Sequence, residues 1–307
     1  MAITGTIRPG LIQIRVLDLD KTLNFYKEIL GLDEVGKTSD GRVMLKCYDE
    51  FDHHSVVLRK ADKAGLDYVA FKCVKSELET IKDKVEKFGY KTTEVAPNTE
   101  QPGFGKQYKF NICTGHEFHI YADVELAKDH PQLKNPDIWN TQPRGMRATR
   151  LDHFLLYGPG VAEAERFCIE VFGMYTPEVL NAPDGSRVGT WLTGNNKPHD
   201  LAIVEYPKPG TFHHVGFFLQ TWEDILNAAD LIAINHLKLD IGPTRHAITR
   251  GLSIYFWEPS GNRIETYCGG YTANPDNPLR VWDADQLGRG LMFFSGDLPS
   301  SFMEIVT

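Results

Sequence analysis

Several features that mark secreted, membrane-bound or nucleic-acid-binding proteins are missing from this sequence. Its 307 residues contain only five cysteines, at positions 47, 73, 113, 168 and 268, and no Cys-x-x-Cys pair. The odd number and wide spacing predict buried, reduced thiols rather than a disulfide framework. No apolar run approaches the ~20 residues that span a bilayer, and residues 1–10 lack the apolar core of a signal peptide. A net charge of -8 makes a nucleic-acid surface unexpected. We therefore expect a cytoplasmic globular protein with no membrane or nucleic-acid partner.

The sequence contains one pattern written twice. Residues 11–34 and 151–174 both read as a strand, a turn and a helix, followed by Gly31 and Gly173 respectively. Glycine at this position accepts the left-handed backbone that closes a helix. A second helix in each half begins at a capping-box pattern, Ser76-Glu-Leu-Glu79 and Thr221-Trp-Glu-Asp224. The two copies are offset by about 140 to 146 residues, which indicates a duplication.

The order of the repeated segments predicts the architecture. Each half ends with paired strands joined by a glycine turn, so its unit is a strand, a helix and three strands. We predict an α+β fold with two tandem domains, each built from duplicated βαβββ modules. The predicted boundaries are 1–122 for the N-terminal domain, 123–149 for a connector, 150–270 for the C-terminal domain and 271–307 for a tail that packs on the C-terminal domain.

Three strand-like segments of the C-terminal half each carry one side chain that can bind a metal: His153, His214 and Glu265. A lone histidine on a strand is usually an ordinary core or surface residue, whereas a lone buried carboxylate is costly. Three such side chains on separate strands of one half are better explained by a metal site. Two imidazoles and one carboxylate can cap one face of an octahedral ion and leave the other face open, as in non-haem Fe(II) oxygenases.

The N-terminal half provides an internal control. When the two halves are aligned, Gln13, Tyr68 and His119 take the places of the three candidate ligands, in that order. This half keeps the framework without the ligand set, so we expect a metal site in the C-terminal half alone. The histidines at positions 53, 54 and 116 resemble metal motifs by spacing. We discount them, together with His119, because they lie in this half and because strand side chains alternate between opposite faces.

Three further side chains are candidates for proton transfer or hydrogen bonding. His199 begins a strand, where it is either a solvated turn residue or an acid–base group at the mouth of the site. His246 and Tyr255 flank residues 247–254, and Tyr255 is either a cross-strand aromatic or a phenol that donates a hydrogen bond to a substrate oxygen. His213 is expected to point away from His214, because side chains alternate along a strand.

Three stretches carry a resemblance to a known family. They are His213-His-Val-Gly-Phe217, Leu239-Asp-Ile-Gly-Pro-Thr-Arg-His246 and Tyr255-Phe-Trp-Glu-Pro-Ser-Gly-Asn-Arg-Ile-Glu265. The last is similar to the signature segment of the extradiol ring-cleaving dioxygenases. Over essentially its full length the chain resembles that family, and within it the catechol-cleaving enzymes. Their fold is of the vicinal oxygen chelate type, which glyoxalases and antibiotic-binding proteins share, so fold alone does not fix function.

The resemblance implies a complete site. Fe(II) would be bound by the three candidate ligands, with His199, His246 and Tyr255 contacting the substrate or the ligands. The substrates would be catechol and dioxygen and the product 2-hydroxymuconic semialdehyde. The alternative is a substituted catechol such as 3-methylcatechol, 4-chlorocatechol or 2,3-dihydroxybiphenyl. The resemblance also implies a cytoplasmic homotetramer in the bacterial degradation of aromatic compounds. The pocket walls would include aromatic and aliphatic residues, namely Trp191, Ile248, Leu291 and Phe302.

Two other functional classes remain on this fold. A glyoxalase-type isomerase would use zinc or nickel and place ligands in both repeats, which Gln13 and Tyr68 argue against. A ligand-binding or resistance protein would need no metal, and would leave the histidines and the carboxylate of the C-terminal half unexplained. Within the dioxygenase interpretation, Mn(II) stays open beside Fe(II), because both ions suit two imidazoles and one carboxylate.

Overall fold

The fold is α+β with two tandem domains, as the repeat predicted. A computed structural model describes residues 4–138 and 142–307, so positions 1–3 and positions 139–141 of the predicted connector lie outside the described residues. The described chain forms one eight-stranded sheet from Thr6 to Tyr121 and one nine-stranded sheet from Arg150 to Asp283. Within these residues, no helix has the length and apolar character needed to cross a membrane.

The N-terminal sheet has the order β2-β3-β4-β1-β5-β8-β7-β6. Its strands are β1 (Thr6–Val16), β2 (Asp33–Lys37), β3 (Val43–Lys46), β4 (Val56–Lys60), β5 (Gly65–Cys73), β6 (Thr93–Val95), β7 (Gln107–Asn111) and β8 (Glu117–Tyr121). Helix α1 (Leu19–Asn24) continues into a π-helical turn (Phe25–Leu30), and α2 (Leu78–Phe88) follows a 3-10 turn (Lys75–Glu77). The two modules of this half therefore join where β1 pairs with β5.

The C-terminal sheet repeats this arrangement in the order β14-β15-β16-β13-β9-β12-β11-β10-β17. Its strands are β9 (Arg150–Gly158), β10 (Tyr175–Asn181), β11 (Arg187–Thr193), β12 (Leu201–Glu205), β13 (Thr211–Phe218), β14 (Leu239–Arg245), β15 (Gly251–Trp257), β16 (Arg263–Gly269) and β17 (Arg280–Asp283). The helices are α3 (Val161–Glu170), α4 (Trp222–Ile234), α5 (Leu287–Leu291) and α6 (Ser300–Glu304), with a 3-10 turn at Ala284–Gln286. Strand β17 belongs to the predicted tail and adds to the sheet by pairing with β10.

Helix ends agree with the sequence patterns in all but one case. Gly31 and Gly173 adopt φ values of 94° and 70°, the left-handed backbone that ends a helix. Thr221 and Asp224 form the expected capping box at the start of α4. The corresponding prediction at Ser76 is wrong, because the 3-10 turn displaces the start of α2 and its N-cap is Glu77, without a side-chain cap.

The strand register corrects one equivalence between the halves. Tyr68 is paired with Gln13 across β1 and β5, whereas its counterpart His214 is paired with Leu155 across β9 and β13. Gln13 therefore corresponds to Leu155, and Leu11, two positions earlier, corresponds to the first candidate ligand. The sequence alignment was wrong by two residues, and a shift of two preserves the alternation of a strand, so the hydrophobic pattern could not reveal it.

Candidate active site

The three candidate ligands converge on one point inside the C-terminal half. They lie on β9, β13 and β16, which are neighbours in the sheet. The Nε2 atoms of His153 and His214 lie 2.7 Å and 3.1 Å from the same carboxylate oxygen, Oε2 of Glu265. All three residues are buried, and their ligand atoms lie within 4.8 Å of one another. A donor set of two imidazole nitrogens and one carboxylate oxygen fits a divalent transition ion.

A glycine allows this convergence. Gly216 on the middle strand β13 is paired with His153 on one side and with Glu265 on the other. A Cβ atom at position 216 would lie 2.1 Å from Cε1 of His153, so any larger residue at this position would displace the His153 ring. Glycine in a strand interior often marks such a close approach.

Burial and charge set the protonation of the candidate ligands. Burial lowers the pKa of His214 to about 4, so its ring is neutral near pH 7 and can offer a lone pair. Burial alone would lower the pKa of His153 as well, but the carboxylates of Glu265 and Asp152 outweigh it and raise that pKa. Burial alone would raise the pKa of Glu265, but its contacts with His153 and His214 hold it well below the usual value. The carboxylate is therefore charged, and a cation at this point would stabilise it.

Asp152 holds the His153 ring in place, a role that the sequence did not suggest. Its Oδ2 atom lies 3.1 Å from Nδ1 of His153 and accepts a hydrogen bond of 2.7 Å from the hydroxyl of Tyr267. The ammonium of Lys197 lies 3.0 Å from the same oxygen. Burial alone would raise the pKa of Asp152, but Lys197, His153 and Arg150 hold it well below the usual value. Carboxylates in this position fix the tautomer and orientation of a metal-binding histidine.

His199 lies deeper than the mouth position that the sequence suggested. It is 8% exposed, and the centre of its ring is 4.2 Å from that of His153. Strand β12 runs parallel to β9, so the residues just before β12 are carried beside the strand that holds His153. Within the described chain, its Nδ1 atom is buried and has no hydrogen-bond partner. Burial lowers the pKa of His199 well below its usual value, so the ring is neutral near pH 7 and one of its nitrogens carries a lone pair.

His246 and Tyr255 form a hydrogen-bonded pair on the side of Glu265 that faces away from β13. Nε2 of His246 lies 2.8 Å from the Tyr255 hydroxyl, and Nδ1 donates to the carbonyl of Leu291 in the tail. Nε2 of His246 is also 3.6 Å from Oε1 of Glu265. Burial, reinforced by the Glu265 carboxylate, raises the pKa of Tyr255 well above its usual value. Tyr255 is therefore a neutral phenol with a proton to donate.

The orientation expected for His213 is wrong. A β-bulge between Phe212 and His214 interrupts the alternation of β13, so His213 does not turn to the opposite side. Its Nδ1 atom lies 2.7 Å from Nδ1 of His214, and its Nε2 atom lies 2.7 Å from the carbonyl oxygen of Phe302. In the sequence, only the adjacency of the two histidines could have indicated this contact.

Every residue that the sequence proposed for the site lines one cavity. The ligand triad, His199, His246 and Tyr255 lie at its polar end. The proposed apolar walls also line it: Trp191 from β11, Ile248 from the loop before β15, Leu291 from α5 and Phe302 from α6. Of the residues that line this cavity in the described chain, none is lysine or arginine. Such a space suits a planar, uncharged ring held at one end by polar groups.

A second group of potential ligands lies in the N-terminal half. Glu100, Glu117 and His119 bring their ligand atoms within 4.8 Å of one another. The carboxylates are partly exposed, and Lys109 lies 3.8 Å from Glu100. Nε2 of His119 is 3.0 Å from Glu117, and the ring of His119 stacks on Tyr68. The ammonium of Lys109 therefore already lies beside this group.

Comparison with known proteins places the chain in a family. Residues 150–266 match the Glyoxalase/Bleomycin resistance protein/Dioxygenase superfamily, and residues 66–125 match the catechol 2,3-dioxygenase-like N-terminal domain. The chain is 41% identical to metapyrocatechase from Pseudomonas sp. (strain CF600), over 99% of each chain. It belongs to the metapyrocatechase family of extradiol dioxygenases.

Solved structures and a further relative of the metapyrocatechase family agree with this. The 2,3-dioxygenase LapB from Pseudomonas sp. KL28 is 43% identical, with a TM-score of 0.89, over 92% of this chain and 99% of the other. Homoprotocatechuate 2,3-dioxygenase from Arthrobacter globiformis shares the fold, with a TM-score of 0.86 at 23% identity over 99% of this chain and 93% of the other. A manganese-dependent 2,3-dihydroxybiphenyl 1,2-dioxygenase from Geobacillus genomosp. 3 is 28% identical over 94% of each chain. One relative of the chain is therefore described as dependent on manganese.

Proposed function

We propose that this extradiol dioxygenase cleaves catechol beside its two hydroxyl-bearing carbons and inserts both atoms of dioxygen to give 2-hydroxymuconic semialdehyde. The observation that carries this is the convergence of His153, His214 and Glu265 at the polar end of an apolar cavity. The 41% identity to metapyrocatechase along the whole chain supports the choice of catechol. The family assignment also excludes the isomerase and the binding protein as leading alternatives.

His153, His214 and Glu265 would hold a single Fe(II) ion. When bound, that ion would supply Lewis acidity toward the catechol oxygens and an open face for dioxygen. The protein contributes one carboxylate charge and one nitrogen from each of two imidazole rings, and Asp152 and Gly216 keep the His153 ring at the correct place. Mn(II) suits the same donors, and a manganese-dependent relative supports keeping it as the alternative.

His199 would act as the acid–base residue. Its ring is neutral and its Nδ1 atom is buried without a partner among the described residues, so the lone pair or proton of that nitrogen is available to a substrate in the cavity. We propose that His199 takes a proton from a catechol hydroxyl and returns it to oxygen when the O–O bond breaks. Its contact with the His153 ring places it beside the ligand set.

Tyr255 and His246 would hold the substrate oxygens from the other side. Tyr255 is a neutral phenol, and its hydroxyl is fixed by the 2.8 Å contact with His246. Donors already held in place stabilise charge that develops on oxygen at little reorganisation cost. The apolar walls formed by Trp191, Ile248, Leu291 and Phe302 would pack against the ring and exclude water.

The assembly and location of the enzyme belong to the same proposal. We propose a cytoplasmic homotetramer that takes part in bacterial degradation of aromatic compounds. All five cysteines are free, and four of them are buried, which is compatible with a reducing compartment. Light scattering coupled to size-exclusion chromatography would test the tetramer, and a mass corresponding to one chain would contradict it.

The test of the proposed function is reconstitution. Metal-free enzyme would be loaded anaerobically with Fe(II) or Mn(II), mixed with catechol in air, and followed by oxygen uptake and by the yellow colour of the product. We expect one oxygen molecule consumed per catechol cleaved. The same assay with 3-methylcatechol, 4-chlorocatechol and 2,3-dihydroxybiphenyl would identify the preferred ring. Metal binding without oxygen uptake on any of these catechols would contradict the proposal.

A further inference from the structure

His213 has hydrogen bonds that none of the roles above uses. It is 1% exposed, and its ring packs against Tyr157 and Phe302, with ring centres 4.6 Å and 4.8 Å apart. The bulge in β13 directs it toward the neighbouring ligand candidate rather than to the far side of the sheet. One ring nitrogen therefore faces His214, and the other faces the backbone of the tail.

The partners of this ring determine where its protons lie. The carbonyl oxygen of Phe302, 2.7 Å from Nε2 of His213, can only accept, so Nε2 carries a hydrogen. A neutral ring then has its lone pair on Nδ1. The Nδ1 atom of His214, 2.7 Å away, must donate to that lone pair, because only one proton fits between the two nitrogens. This leaves the lone pair of His214 on Nε2, the atom that faces Glu265 at 3.1 Å.

We propose that His213 is a positioning residue for metal binding. Its hydrogen bonds fix the tautomer and the ring orientation of His214, and they connect both histidines to the tail. The proposal rests on the ligand role proposed for His214. A metal-binding histidine usually donates its second N–H to a carboxylate, a carbonyl or water. His153 follows this pattern with Asp152, whereas His214 donates to another imidazole.

The same hydrogen bonds connect the metal ligand to the cavity wall. Phe302 lies on α6, its ring lines the cavity, and it contacts both His213 and Tyr255, at 4.8 Å and 5.0 Å between ring centres. The hydrogen bonds therefore run without a break from the Phe302 carbonyl through His213 to His214. Displacement of α6 would remove the acceptor of His213 and loosen the ligand behind it.

The test uses three replacements of His213 and Mn(II) as the probe, because Mn(II) suits the donor set. His213→Leu removes both hydrogen bonds. In His213→Asn the amide reaches the position of Nδ1 and can still meet His214, whereas in His213→Gln it reaches the position of Nε2 and meets only the Phe302 carbonyl. Dissociation constants would be measured by equilibrium dialysis. We expect His213→Leu to bind Mn(II) roughly 10 to 100 times more weakly, the usual effect of losing such a partner.

We expect His213→Asn to recover most of the lost affinity and His213→Gln to recover little. The control is His53→Leu, because His53 and His54 form a similar pair with Nδ1 atoms 2.8 Å apart in the half without the triad; its Mn(II) affinity should equal that of the parent. A folded His213→Leu enzyme with the affinity of the parent would overturn the proposal. If that variant does not fold, a His213→Gln enzyme that binds as well as His213→Asn would overturn it instead.

The outcomes also separate this proposal from the proposed function. If His214→Ala weakens Mn(II) binding but His213→Leu does not, the ligand role of His214 stands and the positioning role of His213 fails. If the parent binds neither Mn(II) nor Fe(II), or if His214→Ala binds as tightly as the parent, the ligand role fails and the positioning role fails with it.

Discussion

Tyr68 and His119 stack face to face in the N-terminal half, with ring centres 3.8 Å apart and planes 3° from parallel. They occupy the positions that His214 and Glu265 hold in the C-terminal half, since β5 pairs with β8 as β13 pairs with β16. The third position is taken by Leu11. The duplicated framework has therefore filled one site with packed rings and an aliphatic side chain, and has kept three ligand atoms in the other.

Replacement of His199 by alanine should separate catalysis from metal binding. We expect His199→Ala to keep the metal content of the parent, since the triad remains, and to lower kcat by roughly two to four orders of magnitude, the range for a lost acid–base group. Metal per chain and oxygen uptake with catechol would be measured on the same preparation. Loss of metal with the fold intact would contradict the role given to His199.

Replacement of Asp152 by asparagine should weaken metal binding. The amide cannot keep the charge that holds His153 and Lys197, so we expect a roughly 10- to 100-fold rise in the dissociation constant of Mn(II). Tyr267→Phe is the matched control, because it removes one hydrogen bond from Asp152 and leaves the charge. Equal affinity in Asp152→Asn and the parent would mean that the carboxylate does not orient the ligand.

Acid should destabilise the contact between the two halves through His116. Nε2 of this buried ring donates to the carbonyl of Thr211, at the start of β13, and Nδ1 accepts from the Thr114 hydroxyl. Burial lowers its pKa from about 6.5 to about 4. The unfolded chain therefore binds a proton that the folded chain does not between these values, so stability falls as pH decreases from about 7 to about 4.

The size of this effect follows from the two pKa values. Between pH 7 and pH 5 the contribution of His116 should fall by about 2 kcal/mol. His116→Gln can keep the bond to Thr211 but does not titrate, so its unfolding free energy should fall less over the same interval. Urea unfolding at pH 7 and pH 5 would give both values. Parallel declines in the two proteins would show that His116 does not carry the pH dependence.

Peroxide should inactivate the enzyme if its metal is Fe(II). The proposed site is open on one face and has no thiolate ligand, so the ferrous ion would be oxidised in place. We expect ascorbate with a ferrous salt to restore activity. Oxygen uptake would be measured before and after each treatment. An enzyme with full activity when loaded with Zn(II) would contradict the redox role of the metal.

The sequence was sufficient to place the candidate ligands on neighbouring strands, because the duplication and the two-residue period of the strands agree there. His153, His214 and Glu265 fall on strands that the repeat identified, and the sheet makes those strands neighbours. It failed where a bulge changes the period, as at His213, because no pattern of polar and apolar residues records an extra residue in a strand. It also missed Asp152, whose importance comes from Lys197 and Tyr267, partners distant in sequence. The pairing of β17 with β10 depends on backbone atoms, and the side chains of the tail gave no sign of it.

The most direct test of the central claim compares Glu265→Gln with His119→Gln. These residues hold equivalent positions in the two halves, and both are buried. Glu265→Gln keeps the shape of the side chain but removes the charge that balances the ion, so metal and ring cleavage should both be lost. His119→Gln loses the stacking on Tyr68 and should cost only about 1–3 kcal/mol of stability. The measurement is metal per chain in both folded variants after reconstitution with Fe(II): the account predicts loss in Glu265→Gln and full occupancy in His119→Gln, and the reverse result would contradict it.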